Sequence, residues 1–350
     1  MVRTMNIHCP FSRRAVFMLI AVSAFTATPA LGAEPAVSFR GKTIRIVVGA
    51  SPGGGFDSYA RLLAAHLARH IAGTPSVIVQ NMTGAGSLPA ANYVANVAPK
   101  DGTVIGAVNS AIVTDSLFYP DRVRFDPKRV KWIGSALRET HVATAWHLAP
   151  VQSFEQVFQR EFIVAGSGGT STTYPLFLNG VLHTRFKLVA GYAGTAEGNL
   201  AMERREVDGN AGITWASVKA TQTAALRDKR LRILVQLGQT KHPELPDVPW
   251  VYDYVRNDAD RAALNLMFGT QEFGRPFIVA EGVPDMTVVI LRAAFDATMV
   301  SPEFRADAAR RMLDLDPTTG VEIQRLVEDI HRTPPAVVDR VRKLLDPAAR

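Results

Sequence analysis

The chain has 350 residues, with 39 Lys and Arg against 32 Asp and Glu and a formal net charge of +7. The basic residues are scattered rather than clustered, so no nucleic-acid footprint is indicated. The single cysteine, Cys9, lies near the N-terminus, which leaves the remainder without disulfide or thiol chemistry.

Residues 1–33 have the pattern of an export signal. Arg3, Arg13 and Arg14 give a basic start with no acid, and residues 15–24 (AVFMLIAVSA) form an apolar stretch. Small residues then lead to a cleavage site after Ala33. The apolar stretch is shorter than the roughly 20 residues a membrane span needs. A buried N-terminal helix is the competing reading. Ser12-Arg13-Arg14 leaves both general secretory and twin-arginine export open. Cleavage would remove three arginines and no acid, lowering the net charge to +4, and would place the protein in the periplasm. No cysteine stands at the cleavage site, which argues against a lipid anchor. The remaining length suits two domains of ordinary size.

The first predicted strand, 44–48, runs into Ser51-Pro52-Gly53-Gly54-Gly55-Phe56-Asp57, and a helix follows with Tyr59, Leu63 and Leu67 on one face. The first N–H groups of such a helix have no internal partner, and the helix dipole adds partial positive charge there. A glycine turn at that point lets an anion approach the backbone. A plain strand–helix turn is the alternative. Asp57 reads as a helix-dipole partner or cap, or as a contact to a ligand amino or hydroxyl group. Strands at 76–80 and 103–108, with a helix at 88–95, continue the rhythm of a parallel sheet. Asn109 and Ser110 close the third strand, where they would line the same cleft.

The pattern restarts after Pro150. A strand at 161–165 is followed by Gly166-Ser167-Gly168-Gly169-Thr170-Ser171-Thr172-Thr173. A strand at 187–190 precedes Gly191-Tyr192-Ala193-Gly194-Thr195 and a helix, and further strands fall at 210–214 and 231–237. Tyr192 is core filling or a cleft hydrogen bonder; Trp215 reads as core. The last third is helical apart from a strand at 276–280. Ser301-Pro302 and Thr333-Pro334 mark helix starts, and Thr319 with Glu322 has capping-box spacing. Two such units with small-residue loops beyond their strands suggest a cleft between them that closes by hinge motion, the hinge lying near 144–150 and 234–240.

Ser167 sits in a strand–Ser–helix context like a hydrolase elbow, with Ala165 in place of the first glycine. His183, His242 and His331 are its possible bases. Against that, no oxyanion motif accompanies it, and the dense hydroxyls of the loop suit hydrogen-bonding a polar ligand. His66 and His70 lack the intervening glutamate of a metalloprotease, and Phe56 stands where a phosphate loop needs lysine. No metal and no cofactor are expected.

The unit Pro52-Gly53-Gly54-x-x-Asp57 resembles the solute-binding proteins of tripartite tricarboxylate transporters. Gln80-Asn81, Gly84-Ala85-Gly86, the run from Ala98 to Thr103, the loop 165–173, Tyr192-Ala193-Gly194, Glu206-Val207-Asp208-Gly209, the run from His242 to Pro249 and Gly282-Val283-Pro284 follow in matching order. The resemblance implies an α/β type II periplasmic binding protein, with two α/β domains and a ligand cleft between them. It assigns 34–146 with 240–350 to domain 1 and 147–239 to domain 2. It implies a non-enzymatic receptor that holds a small organic carboxylate through backbone N–H groups and waters. Its ligand loops would be 51–57 and 166–173, with Ser51, Pro52, Gly53, Gly54, Gly55, Phe56, Asp57, Ser167, Gly168, Gly169, Thr170 and Ser171; Ser110, Tyr192 and Thr195 join them as residues just beyond strand ends. The partners it implies are membrane permease subunits, with a monomeric receptor. Gly55 and Phe56 depart from the small hydroxyl residues frequent there, and Thr172-Thr173-Tyr174 departs from a region that often carries histidine. A sensory receptor using the same clamp, and a secreted hydrolase using Ser167, remain alternatives. If the export reading is right, N-terminal sequencing of the exported protein finds Glu34 at or within a few residues of the start; a chain still beginning at Met1 contradicts it.

Overall fold

A computed structural model describes residues 38–50, 52–167, 169–192 and 194–345. The expected export segment and its cleavage site lie outside these residues, as do Ser51 and Gly168 of the two loops. Strands β1 (Thr43–Val48), β2 (Ser76–Asn81) and β3 (Val104–Ala107) run parallel, with Ile46 opposite both Val79 and Ile105. Helices α1 (Gly55–Leu67) and α2 (Leu88–Asn96) make the crossovers. Tyr59, Leu63 and Leu67 are buried, as their spacing predicts. After α3 (Ile112–Phe118) comes β4 (Lys131–Ser135).

The chain then enters a second sheet through β5 (His141–Trp146). The short α4 (Phe154–Val157) leads to β6 (Phe162–Gly166), α5 (Thr170–Leu182), β7 (Phe186–Ala190), α6 (Thr195–Glu203) and β8 (Gly209–Thr214). Helices α7 (Trp215–Thr221) and α8 (Thr223–Arg227) precede β9 (Leu231–Leu237). β6 is parallel to β7 and β8, whereas β5 lies antiparallel to both β8 and β9. The order is β7-β6-β8-β5-β9.

The return passes through α9 (Asp258–Phe268) to β10 (Pro276–Val279), then α10 (Asp285–Val300), α11 (Pro302–Arg310), β11 (Thr318–Thr319), α12 (Gly320–His331) and α13 (Pro335–Leu345). β10 inserts antiparallel between β3 and β4, giving the order β11-β4-β10-β3-β1-β2. Both sheets are therefore mixed, not parallel throughout. β4 and β5 are strands that the sequence reading left unassigned. Because β5 pairs in the second sheet, the chain crosses between Ser135 and His141, earlier than the boundary at 146 and the hinge at 144–150 expected from sequence.

Packing explains the layers. Leu63, Leu67, Leu291, Phe295 and Phe304 cover one face of the first sheet. A second core runs from Val94 of α2 and Trp132 of β4 through Phe162 and Phe177 to Phe268 and Val341, so both sheets share it. A third, with Met202, Ile213 and Trp215, covers the far face of the second sheet. Ser301 caps α11 by accepting from the Phe304 N–H, and Thr319 caps α12 by accepting from Glu322. The Glu322 carboxylate faces Arg138. α13 starts at Pro335, one residue beyond the proline expected to open it.

The tightest approach between β5 and β8 is at Gly209, where a Cβ would stand 1.9 Å from the Thr144 carbonyl oxygen and 2.8 Å from the Phe162 ring. Overpacking of this kind costs about 1–3 kcal/mol or more. Gly209→Ala is expected to lose at least that much in urea denaturation; an unchanged midpoint would show that the strand pair has room to spare.

Candidate functional site

The parallel strands fix where the loops emerge. β1, β2 and β3 end on one edge of the first sheet; β6, β7 and β8 end on the edge of the second sheet that carries His141, where the chain has just crossed. The loop residues 52–57, 108–111, 167, 169, 191, 192 and 194 therefore occupy edges next to the crossing.

The first loop is held by Asp57, which is only 2% exposed. One carboxylate oxygen accepts from the Gly53 N–H at 2.8 Å and from Arg61 Nε at 2.8 Å; the other accepts from Asn81 Nδ2 at 2.9 Å. Burial favours the neutral carboxyl, but the hydrogen bonds from Arg61, Gly53 and Asn81 outweigh it and hold the pKa at about 2 instead of 3.8. Of the two sequence readings of Asp57, the structural one matches these contacts: its carboxylate is turned inward as the loop's own anchor, and it engages the Gly53 N–H. Gly53 has φ +78°, a conformation that favours glycine, whereas Gly54 is extended at φ −76°. Gly55 is exposed and Phe56 half-buried at the start of α1. Ser87 supports the loop from beneath: its hydroxyl donates to the Gly49 carbonyl and accepts from the Asn109 N–H. Ser110 is buried beside it.

In the second loop, Gly169 has φ +57° and caps α5 by accepting from the Thr172 and Thr173 N–H groups. Thr170 Oγ1 donates to the Gly212 carbonyl at 2.7 Å, so this hydroxyl pins the loop to β8. The Ser167 N–H donates to Ser171 Oγ, and the two hydroxyls lie 3.2 Å apart. His183 stands at the opposite end of α5, and His331 meets Ser116 and the Val327 carbonyl. His242 accepts from the Glu244 N–H. Tyr192 is half-buried against the third core, and Thr195 opens α6.

Sequence reasoning missed a polar group beside the first loop. Arg275, just before β10, places its guanidinium 4.3 Å from the centre of the Phe56 ring and pairs with Glu139 at 2.5 Å. Burial pushes the Glu139 carboxyl up while Arg275 opposes this. Glu139 lies on the crossing segment. It also lines a cavity of about 420 Å³ shared by both sheets, with Thr214 and Trp215 on one side and Asp314 on the other. Lys219 spans that cavity, 3.0 Å from Asp314 and 2.8 Å from Glu244.

A family model described as the tripartite tricarboxylate transporter family receptor matches residues 59–341. The chain belongs to this family. A protein encoded between tcbD and tcbE in a Pseudomonas species is 27% identical over 254 residues, 69% of this chain and 73% of that one. Among solved structures, a TctC solute-binding protein from Polaromonas aligns with a TM-score of 0.65 at 16% identity, covering 87% of this chain and all of that one. A protein of R. palustris solved with adipate aligns at 0.62 and 20% identity, over 85% of this chain and 97% of that one. At these identities the structural likeness establishes the fold, that of a TctC-type binding protein with two α/β halves. The family is one of substrate receptors. Among the described residues, no helix is long and apolar enough to cross a membrane.

The Asp57 network has a pH signature. Its folded pKa lies below the unfolded value near 3.9, so its contribution is complete above about pH 4 and is lost as pH falls towards 2. That contribution is about 2 kcal/mol. Asp57→Asn is expected to lower the unfolding free energy by roughly that amount at pH 7 and by far less at pH 2. An equal loss at both pH values would mean that the carboxylate charge plays no part.

Proposed function

We propose that this receptor captures a small organic carboxylate between its two sheets in the periplasm and hands it to membrane permease subunits, acting as a monomer and without catalysis. The observation that carries the reading is the pair of strand–helix loops, one on each sheet, at edges next to the crossing. Each opens a helix N-terminus, and neither contains Lys or Arg. Helix N-termini of this kind hold an anion with neutral donors. The one acid in either loop, Asp57, is buried and paired with Arg61, so it does not repel an incoming carboxylate. Family membership and the adipate in the R. palustris structure support the same class of ligand. Gly54, Gly55, Phe56, Ser167 and Thr195 are the described residues best placed to take part, with Tyr192 at the wall.

Screening mono- and dicarboxylates by thermal melting tests this directly. At a ligand concentration about 100-fold above Kd, the native state gains about 2.7 kcal/mol. The melting temperature then rises by several degrees. Solution scattering on the same sample is expected to show a smaller radius of gyration with ligand. If no carboxylate raises the melting temperature, the reading is wrong; if one does but the scattering is unchanged, the closing clamp is wrong.

A further inference from the structure

The first loop carries no cation in sequence, yet the fold brings one to it. The Arg275 guanidinium lies over Phe56 and 5.6 Å from the Tyr59 ring centre. A Cβ at Gly55 would stand 3.3 Å from its Nη2, so the glycine leaves room for the guanidinium edge beside an exposed backbone position. The side chain is 13% exposed. Nη1 is engaged by Glu139 and by the Gly274 carbonyl. Nε is buried and has no hydrogen-bond partner. Nearby, the buried His141 and Gln271 side chains face each other, and Gln271 Nε2 donates to Tyr174.

A guanidinium offers five donors in a planar fork suited to two carboxylates on two edges. Glu139 Oε1 meets Nη1 alone, which leaves the Nε–Nη2 edge. The remaining edge lies beside Gly55 and Phe56, where the N–H groups of the first helical turn have no intrahelical partner. A carboxylate seated there would meet those N–H groups and the free edge together. We propose that Arg275 is the cationic contact for one carboxylate of the ligand at the start of α1, and that Glu139 is an internal carboxylate competing with it for the guanidinium. This rests on the carboxylate-receptor reading and narrows it. One ligand end meets a cation and the other meets the neutral donors of the second loop, which selects a dicarboxylate over the matching monocarboxylate.

Calorimetric titration of the full mature chain with adipate, succinate and malate, against hexanoate as the monocarboxylate, tests the proposal. Removing Arg275 alone would strand a buried Glu139, so the informative set is Arg275→Lys, Glu139→Gln and the double variant Arg275→Gln/Glu139→Gln, each checked for folding by circular dichroism. Loss of a charge-assisted contact is expected to weaken dicarboxylate binding by roughly tenfold or more in the double variant and to flatten its salt dependence. Arg275→Lys is expected to fall between the double variant and wild type. Glu139→Gln is expected to tighten binding, because a neutral amide no longer competes, whereas a purely structural pair predicts weaker or unchanged binding. Wild-type affinity in the folded double variant, or weaker or unchanged binding in Glu139→Gln, overturns the role of Arg275 and leaves the receptor reading intact. A wild-type protein that binds hexanoate but no dicarboxylate overturns this inference alone. One that binds none of these acids overturns both.

Discussion

Asp57 takes hydrogen bonds from a turn, from its own helix and from the end of the neighbouring strand, and the shape of the first loop follows from that. Asn81, which ends β2, also donates to the Ala50 carbonyl, so the same two side chains bind the loop to the sheet edge. An acid in the first turn of a helix is stabilised by the helix dipole, but an exposed one would repel an anionic ligand. Here the acid is buried and ion-paired with Arg61, one turn further on. The loop therefore keeps the rigidity an acid gives it without presenting negative charge outward. Because the Gly53 N–H is drawn inward, the donors left for an anion are those at the exposed start of α1.

The two sheets meet through contacts of two different kinds. On one side they share a continuous apolar core, with Trp132, Phe177, Phe268 and Val341 packed into one cluster. On the other side the contact is polar: Tyr59 donates to the Asp314 carbonyl at 2.7 Å, and the Asp314 carboxylate meets Lys219 of α7. Burial lowers the Lys219 pKa, and the two carboxylates overcome this and raise it. Lys219 is 28% exposed and Asp314 45%, a range in which ion pairs contribute little net stability. An apolar core resists separation far more strongly than an exposed ion pair, so the shared core is the stronger of the two connections between the sheets. The polar contact ties α1, which begins at the first loop, to α7 across the cavity.

The elements legible in sequence are those whose signals are local. β1 and β6 are apolar runs followed by small-residue loops, and α1 shows its apolar face through Tyr59, Leu63 and Leu67; each was readable from its own residues. β4 and β5 were not. They alternate large apolar groups with Gly134, Ala143, Thr144 and Ala145, small residues chosen for close packing: a Cβ at Gly134 would strike the Phe295 ring at 2.2 Å, and Thr144 faces Gly209. Their strand character comes from neighbours that the sequence places far away. The same limit applied to the site. The loops were found, but which donors face outward depends on long-range partners: Asn81 for Asp57, Gly212 for Thr170. Arg275 was invisible from the loop because β10 inserts it between β3 and β4 from much later in the chain.

If Arg275 takes one carboxylate of the ligand as proposed, Glu139 bears on how the site releases what it holds. A cation left bare in a cleft would bind a carboxylate tightly, but it would carry a large desolvation penalty while empty. With Glu139 already in place, Arg275 is desolvated and oriented by the fold, so the ligand does not have to order it. An arriving carboxylate then shares the guanidinium with another carboxylate instead of creating an ion pair where none existed, and the net gain is smaller than the bare Coulomb attraction. On this proposal the difference between bound and free states is left to the neutral donors and to the exclusion of water on closure, and both would be reversed by opening. In the proposed clamp, charge would choose the ligand and closure would hold it, so that opening the cleft would be enough to weaken its grip.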